Sequence, residues 1–77
     1  MMTMGSDFCL QVLDTIKRNN GKMLESALLE TLRKRGINAT QRELRNALLK
    51  LEITGYIRVT SLDEERKLIE IANKEES

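Results

Sequence analysis

Three polar side chains early in one predicted helix, Arg42, Arg45 and Asn46, carry the donor groups that contact polyanions. A guanidinium donates to phosphate oxygens, and both Arg and Asn form paired hydrogen bonds with the edges of bases. All three side chains lie on the side of the helix opposite its apolar residues. The chemistry that they offer is binding, and the neighbouring segments must hold this helix at a surface.

The segment that positions these donors runs from Thr40 to Thr60. Thr40 and Glu43 form the sequence pattern of a capping box, so we expect the helix to begin at Gln41. Gly55 suits the left-handed residue that ends a helix. An apolar stripe about 100° wide marks the buried face of this helix. The stripe consists of Leu44, Ala47, Leu48 and Leu51.

Two further apolar residues, Leu49 and Ile53, lie one turn apart on the exposed side of the same helix. Neighbouring exposed apolar side chains form a strip that favours burial. Contact with a partner, or with the chain's own C-terminal segment, explains both residues, whereas contact with a thymine methyl group explains Leu49 alone. We predict an interface here, with a second copy of the chain or another protein as the partner.

The charge of the chain is nearly balanced but unevenly distributed. The net charge is +1 over 77 residues. Residues 17–58 hold ten Lys or Arg and four Glu, whereas residues 1–16 and 59–77 are both net acidic. A basic centre attracts a polyanion at short range, although a mixed, solvated surface has the same composition.

Composition disfavours several other classes of protein. The chain has one cysteine, Cys9, and no histidine, which leaves no internal disulfide and no zinc site of the usual Cys/His type. It has no Gly-rich phosphate loop and no long apolar run, and its N-terminus lacks a signal pattern. We therefore expect a cytoplasmic protein that is not an enzyme and that uses no metal, no cofactor and no membrane.

A chain of this length accommodates one domain. We expect the domain to span residues 6–73, with flexible ends at residues 1–5 and 74–77. Its first helix is predicted from Ser6 to Asn20, with Cys9 as a buried structural thiol.

A second helix is predicted from Leu24 to Arg35, after a very short edge strand at Lys22 and Met23. Gly36 ends this helix shortly before Thr40, so the second and third helices must turn sharply. The last turn is basic, with Arg33, Lys34 and Arg35. These cations either complement the negative end of the helix dipole or contact phosphates.

A first strand is predicted from Tyr56 to Thr60, with Ile57 and Val59 on the same side. A second strand is predicted over residues 67–73, which alternate in the same way. Paired through their apolar sides, the two strands form a hairpin around a loop of residues 61–66.

The same C-terminal stretch also has features of a helix. Ser61 and Glu64 repeat the capping-box pattern, and the residues that follow have high helix propensity. We predict the hairpin, and the alternative is a C-terminal helix over residues 61–73.

Three helices followed by a hairpin resemble the winged helix-turn-helix superfamily, especially small prokaryotic and archaeal DNA-binding regulators. The motifs that carry the resemblance are Gly36-x-x-x-Thr40-x-x-x-Leu44 and Leu48-x-x-Leu51-x-x-x-Gly55-Tyr56-Ile57. The resemblance implies an α+β, mainly α fold: a three-helix core with a helix-turn-helix and a C-terminal β-hairpin wing.

The resemblance also implies a function, that of a transcriptional regulator whose third helix enters the major groove of double-stranded DNA. Lys50 would then lie near the phosphate backbone, and Arg58 would add a phosphate contact. Lys34, in the basic last turn of the second helix, is a further candidate for a phosphate contact. By position, the groove-contacting residues are Gln41, Arg42, Arg45 and Asn46.

Two features depart from such regulators. The predicted wing tip, Asp63-Glu64-Glu65, is acidic and would be repelled by phosphates. The exposed pair Leu49 and Ile53 is the other departure. The alternative function is a winged-helix module for protein–protein interaction or dimerisation, which would use this pair and the acidic wing.

Overall fold

Three helices and a small antiparallel sheet make up residues 4–72, the part of the chain that the computed structural model describes. In chain order the elements are α1 (Met4–Arg18), β1 (Lys22–Leu24), α2 (Glu25–Lys34), α3 (Gln41–Ile53), β2 (Ile57–Ser61) and β3 (Lys67–Ile71). The predicted α+β, mainly helical fold class is confirmed.

Each described helix ends in a locally encoded turn. The residues just beyond the helices have positive φ: Asn20 at 68°, Gly36 at 84° and Gly55 at 89°. In each turn a backbone N–H reaches back to a carbonyl of the last helical turn at 2.9 Å; the pairs are Gly21 to Ile16, Ile37 to Leu32 and Tyr56 to Leu51. These are Schellman motifs, and they make the sharp turn between α2 and α3 that the sequence predicts.

The core lies where the helices meet the inner face of the sheet. The predicted buried face of α3 is confirmed, because Leu44, Ala47, Leu48 and Leu51 are all buried. They pack with one another and with residues of the other elements, namely Val12, Ile16, Leu28, Leu32, Ile57 and Ile69. One face of α3 is therefore fixed against the core, and its opposite face is exposed.

The C-terminal stretch forms the predicted hairpin, and the alternative of a C-terminal helix is wrong. Strand β3 lies between β1 and β2, and the register places Ile57 opposite Ile71 and Val59 opposite Ile69. Ile69 is fully buried. Alternation therefore decides the structure over helix propensity, since only a strand turns Ile69 and Ile71 to the same side. Residues 62–66, between β2 and β3, form the wing loop.

Each predicted helix and strand is present, but several bounds are shifted by one or two residues, and the predicted burial of Cys9 needs correction. Helix α1 begins at Met4, two residues before the predicted start at Ser6. Leu24 belongs to β1, where it pairs with Leu68, so α2 begins at Glu25. Cys9 is only partly buried, because it packs at the edge of the core and not within it.

Residues 1–3 and 73–77 lie outside the described residues, and with them most of the predicted flexible ends. Between residues 4 and 72, no helix has the length and apolar character needed to span a bilayer.

Candidate nucleic-acid interface

The start of α3 is fixed by the predicted capping box. The Thr40 hydroxyl accepts the backbone N–H of Glu43 at 3.1 Å, and the Glu43 carboxylate accepts the N–H of Thr40 at 3.0 Å. Both contacts satisfy N–H groups that a helix start leaves unpaired. The first turn of α3 is therefore held in place at the surface where the predicted donors begin.

The outward side of α3 is polar in its first half and apolar in its second half. Opposite the buried face, a row about 60° wide at 100° per residue contains Arg42, Asn46, Leu49 and Ile53. All four are exposed, as are Gln41 and Arg45 on one flank of the row. The structure thus brings the four predicted groove-contacting residues onto one accessible surface. Lys50 lies apart from them, on the opposite flank of the helix.

Arg45 differs from the other donors because it is bound to a carboxylate. Its Nε donates to Oε2 of Glu25 at 3.1 Å. The side chain of Glu25 is 7% exposed and that of Arg45 is 57% exposed. A carboxylate this deeply buried needs a partner, and Arg45 supplies it. The pair links the first residue of α2 to the flank of α3.

The basic end of α2 separates into two structural arginines and one exposed lysine. Arg33 donates through Nε and Nη2 to the carbonyl oxygen of Ala39, at 3.3 and 3.2 Å, in the turn before α3. Arg35 donates to the hydroxyl of Thr15 and so connects the end of α2 to α1. Lys34 forms no ion pair within residues 4–72. Of these three cations, Lys34 is therefore the one whose side chain makes neither a hydrogen bond nor an ion pair among the described residues.

Arg58 is not brought together with the donors of α3. It projects from the outer face of the sheet, since its neighbours Ile57 and Val59 face the core. Its cross-strand neighbour is Glu70, which pairs with Lys22 at 3.6 Å. The adjacent carboxylate lowers the positive potential around Arg58.

The wing loop is held by its own acidic residue. The Asp63 carboxylate accepts from the backbone N–H groups of Glu65 and Arg66 and from Nε of Arg66, each at 2.9 Å. The Arg66 guanidinium, followed by the N–H of Glu65, holds the pKa of this carboxyl below its ordinary value of 3.8. Arg66 is thereby neutralised. Glu64 and Glu65 are left exposed, without an ion pair among the described residues.

A shallow groove of about 290 Å³ separates α3 from the hairpin. Its lining includes the apolar side chains of Leu48, Val59 and Ile69 and the polar pair Glu25 and Arg45. The ion pair of buried Glu25 and exposed Arg45 therefore lies between α3 and the wing, the two elements that a winged helix presents to DNA.

The second half of the outward row is the strip predicted from the sequence. Leu49 is 54% exposed and Ile53 is 73% exposed. The described part of the C-terminal segment, which ends at Ala72, leaves both side chains accessible. That a partner molecule covers Leu49 and Ile53 stays a prediction.

Sequence reasoning missed two residues that shape this surface, Glu25 and Asp63. Glu25 is separated from Arg45 by 20 positions, and no local pattern marks the pair. From the sequence alone, Asp63 counts only as a negative charge of the predicted wing tip. A local signal was present, because Asp side chains accept backbone N–H groups two and three residues ahead in tight turns.

Solved structures that share this fold include two ferric uptake regulators. The ferric uptake regulator of Pseudomonas aeruginosa, solved with manganese, is 19% identical with a TM-score of 0.72, and the match covers 95% of this chain and 53% of that one. The ferric uptake regulator of Francisella tularensis, solved with iron, is 18% identical with a TM-score of 0.75, and the match covers 97% of this chain and 55% of that one. The chain therefore spans just over half the length of either regulator.

The metal ions of these two regulators stand against the expectation that a protein of this kind uses no metal. Within residues 4–72, however, no cluster of three or more Cys, Asp or Glu residues is placed to bind an ion. The chain also has no histidine. The described residues therefore do not fit a metal site.

No protein-family model matches the chain, and no curated protein matches it either. At identities below 20%, the two structural matches establish the fold, which is a winged helix.

Proposed function

We propose that this chain is a DNA-binding domain of a transcriptional regulator and that α3, beginning at Gln41, enters the major groove of double-stranded DNA. The observation that carries the proposal is the first half of the outward row of α3. Arg42 and Asn46 are exposed there, and Arg42 has no carboxylate partner within residues 4–72. An exposed helix with an unneutralised arginine and an amide has the donors that phosphates and base edges accept.

The two winged-helix structures support a regulatory role, since both are regulators by name. That support favours a regulator over an enzyme for this chain. A cytoplasmic location, and the absence of a cofactor and of a membrane partner, stay predictions.

The proposed contacts fall into two classes, base contacts and phosphate contacts, according to where each side chain lies. Arg42, Asn46 and Gln41 face outward on α3 and are proposed to contact bases. Lys34, at the end of α2, and Lys50, on the opposite flank of α3 from Gln41, are proposed to contact phosphates. Arg58 is a weaker phosphate contact, because Glu70 lies opposite it in the sheet.

Salt dependence of binding to a random duplex pool tests the proposal. If roughly four to six phosphates are neutralised, the slope of log affinity against log salt is about −4 to −5. Absence of binding at low salt by a protein with a folded circular dichroism spectrum would contradict the DNA proposal.

A single lysine tests the geometry of the proposed contact. Lys34→Ala should weaken binding to all sequences alike and flatten the salt slope by about one unit. Lys17→Ala is the matched control, because it removes the same charge from the exposed side of α1, whose buried side faces the core. The two variants behaving alike would mean that the binding surface does not lie at the α2–α3 turn.

A second candidate function is a winged-helix module for dimerisation or protein interaction, favoured by the exposure of Leu49 and Ile53. The simplest partner is a second copy of the chain, because a symmetric dimer lets one patch bury itself. Sedimentation of wild type and of Leu49→Glu/Ile53→Glu tests this, with Leu10→Glu as a control at an exposed leucine on α1. A wild-type monomer whose solubility matches that of the double variant would mean that the strip makes no self-contact.

A further inference from the structure

We infer that Glu25 is a positioning residue, and that it orients the Arg45 guanidinium to read a guanine in the major groove. The inference rests on the proposed function, because it assigns separate tasks to two arginines of the same helix.

The contact between Arg45 and Glu25 involves one nitrogen of the guanidinium. Nε is the atom of Arg45 that donates to Glu25, and within residues 4–72 neither Nη group of Arg45 donates to the protein. A guanidinium is planar and its five donors have fixed relative directions. Binding Nε therefore limits the orientation of the whole fork and leaves the two Nη groups available on a side chain that is 57% exposed.

Glu25 is held firmly enough to act in this way. It is the first residue of α2, a helix anchored in the core by Leu28 and Leu32, both fully buried. A carboxylate in the first turn is stabilised by the positive end of the helix dipole. Arg45 makes the one side-chain hydrogen bond to Glu25 among the described residues. The backbone of Glu25 is therefore fixed by the core, its negative charge is stabilised by the helix dipole, and its carboxylate is engaged with Arg45.

The charge of the pair separates the role of Arg45 from that of Arg42. Glu25 largely cancels the charge of Arg45, so Arg45 adds little to the attraction that any duplex exerts on the protein. A pre-oriented pair of Nη donors still discriminates between bases. Guanine presents two neighbouring acceptors, O6 and N7, in the major groove, whereas adenine replaces one of them with a donor.

The experiment begins with the duplex that wild type selects most strongly from a random pool. Each G·C pair of that site is then replaced in turn, and the affinity ratio is measured for wild type and Arg45→Lys. Lysine keeps the charge and loses the fork, so Arg45→Lys should lose roughly 5- to 150-fold of discrimination at one G·C pair. Its salt slope should match that of wild type. Arg18→Lys is the control, because Arg18 also pairs with a carboxylate, that of Asp14 on α1.

Two substitutions of Glu25 separate charge from orientation. Glu25→Gln keeps an acceptor for Nε and loses the negative charge, so discrimination should persist while the salt slope steepens by about one unit. Glu25→Ala removes the acceptor and should abolish discrimination at the same G·C pair as Arg45→Lys. Thermal melts identify variants that do not fold, and the comparison of Glu25→Gln with Arg45→Lys does not depend on the alanine variant.

The outcomes distinguish the inference from the function on which it rests. Failure of wild type to bind duplex DNA removes both. If wild type binds, but Arg45→Ala weakens all sequences alike and flattens the slope as Lys34→Ala does, Arg45 is a phosphate contact and the inference is wrong. It is also wrong if the Glu25 variants change the melting temperature and leave discrimination and slope unchanged.

Discussion

Helix α3 and the wing loop Leu62–Arg66 are the two regions that a winged helix can turn toward DNA, and their charges are arranged in opposite ways. On α3, Arg42 has no carboxylate partner within residues 4–72, and Glu43 is engaged in the cap. In the loop, Arg66 is neutralised by Asp63, and two further carboxylates stay exposed. A nearly neutral chain can therefore present a cationic helix beside an acidic loop, because pairing, and not net charge, decides which cations are available.

The largest effect is expected when α3 loses a core side chain, because the position of its outward face depends on that packing. Leu48 is 5% exposed, so Leu48→Ala should lower the free energy of unfolding by about 2 to 5 kcal/mol. Leu49→Ala, one residue along and 54% exposed, is the matched control and should change it by under about 1 kcal/mol. Denaturant melts measure both, and similar losses in the two variants would mean that the buried face of α3 is rotated.

The next largest effect is expected for the polar residues on the outward side of α3, whose removal should lower the affinity for DNA. Arg42→Ala or Asn46→Ala should weaken binding to the selected duplex by about 1 to 3 kcal/mol, because each removes hydrogen bonds to DNA. Titration of labelled duplex measures the loss, with a scrambled duplex as the reference for sequence-independent binding. Equal losses on the two duplexes would assign the residue to phosphate contact.

The wing side should respond in the opposite direction. Glu64→Lys/Glu65→Lys should strengthen nonspecific binding and steepen the salt slope by about one to two units, because two cations replace two repelled carboxylates. Glu64→Gln/Glu65→Gln separates removal of repulsion from new phosphate contacts. If both double variants bind as wild type does, the loop lies too far from the duplex to matter.

The smallest expected effect concerns the internal order of the wing loop. Since the pKa of Asp63 is lowered in the folded chain, its contacts stabilise the loop above about pH 3.8, and the stabilisation is lost as pH falls through the lowered value. Arg66→Ala removes the main cause and should raise the pKa of Asp63. A carboxyl-carbon NMR titration measures the shift. An unchanged pKa would show that the backbone N–H groups alone lower it.

Much of the fold could be predicted from the sequence, because its signals are local. The capping box at Thr40, the stop at Gly55 and the apolar stripe of α3 each depend on residues that lie close together in the chain. The hairpin register followed from alternation, since a shift of one residue would turn Ile69 to solvent.

The candidate site was predicted only in part, because several of its contacts join distant segments. The sequence identified the donors of α3 but not the attachment of Arg45 to Glu25, which depends on how α2 and α3 cross. The same limit applies to Arg35, whose partner Thr15 lies on α1. Local patterns identify which residues carry donors, and tertiary packing determines which of those donors are already used.

The place of β3 in the sheet has a consequence for the order in which this chain folds. β3 is the last strand in sequence and the middle strand in space, and β1 and β2 are not neighbours in the sheet. Neither edge strand has a partner until β3 arrives, and the pairing of Lys22 with Glu70 closes a long loop. During synthesis the helices precede β3 and can assemble first, whereas β1 stays unpaired until residues 67–71 are made. A chain that ends in the wing loop would therefore leave β1 and β2 without a partner strand, and the sheet would form only when residues 67–71 are present.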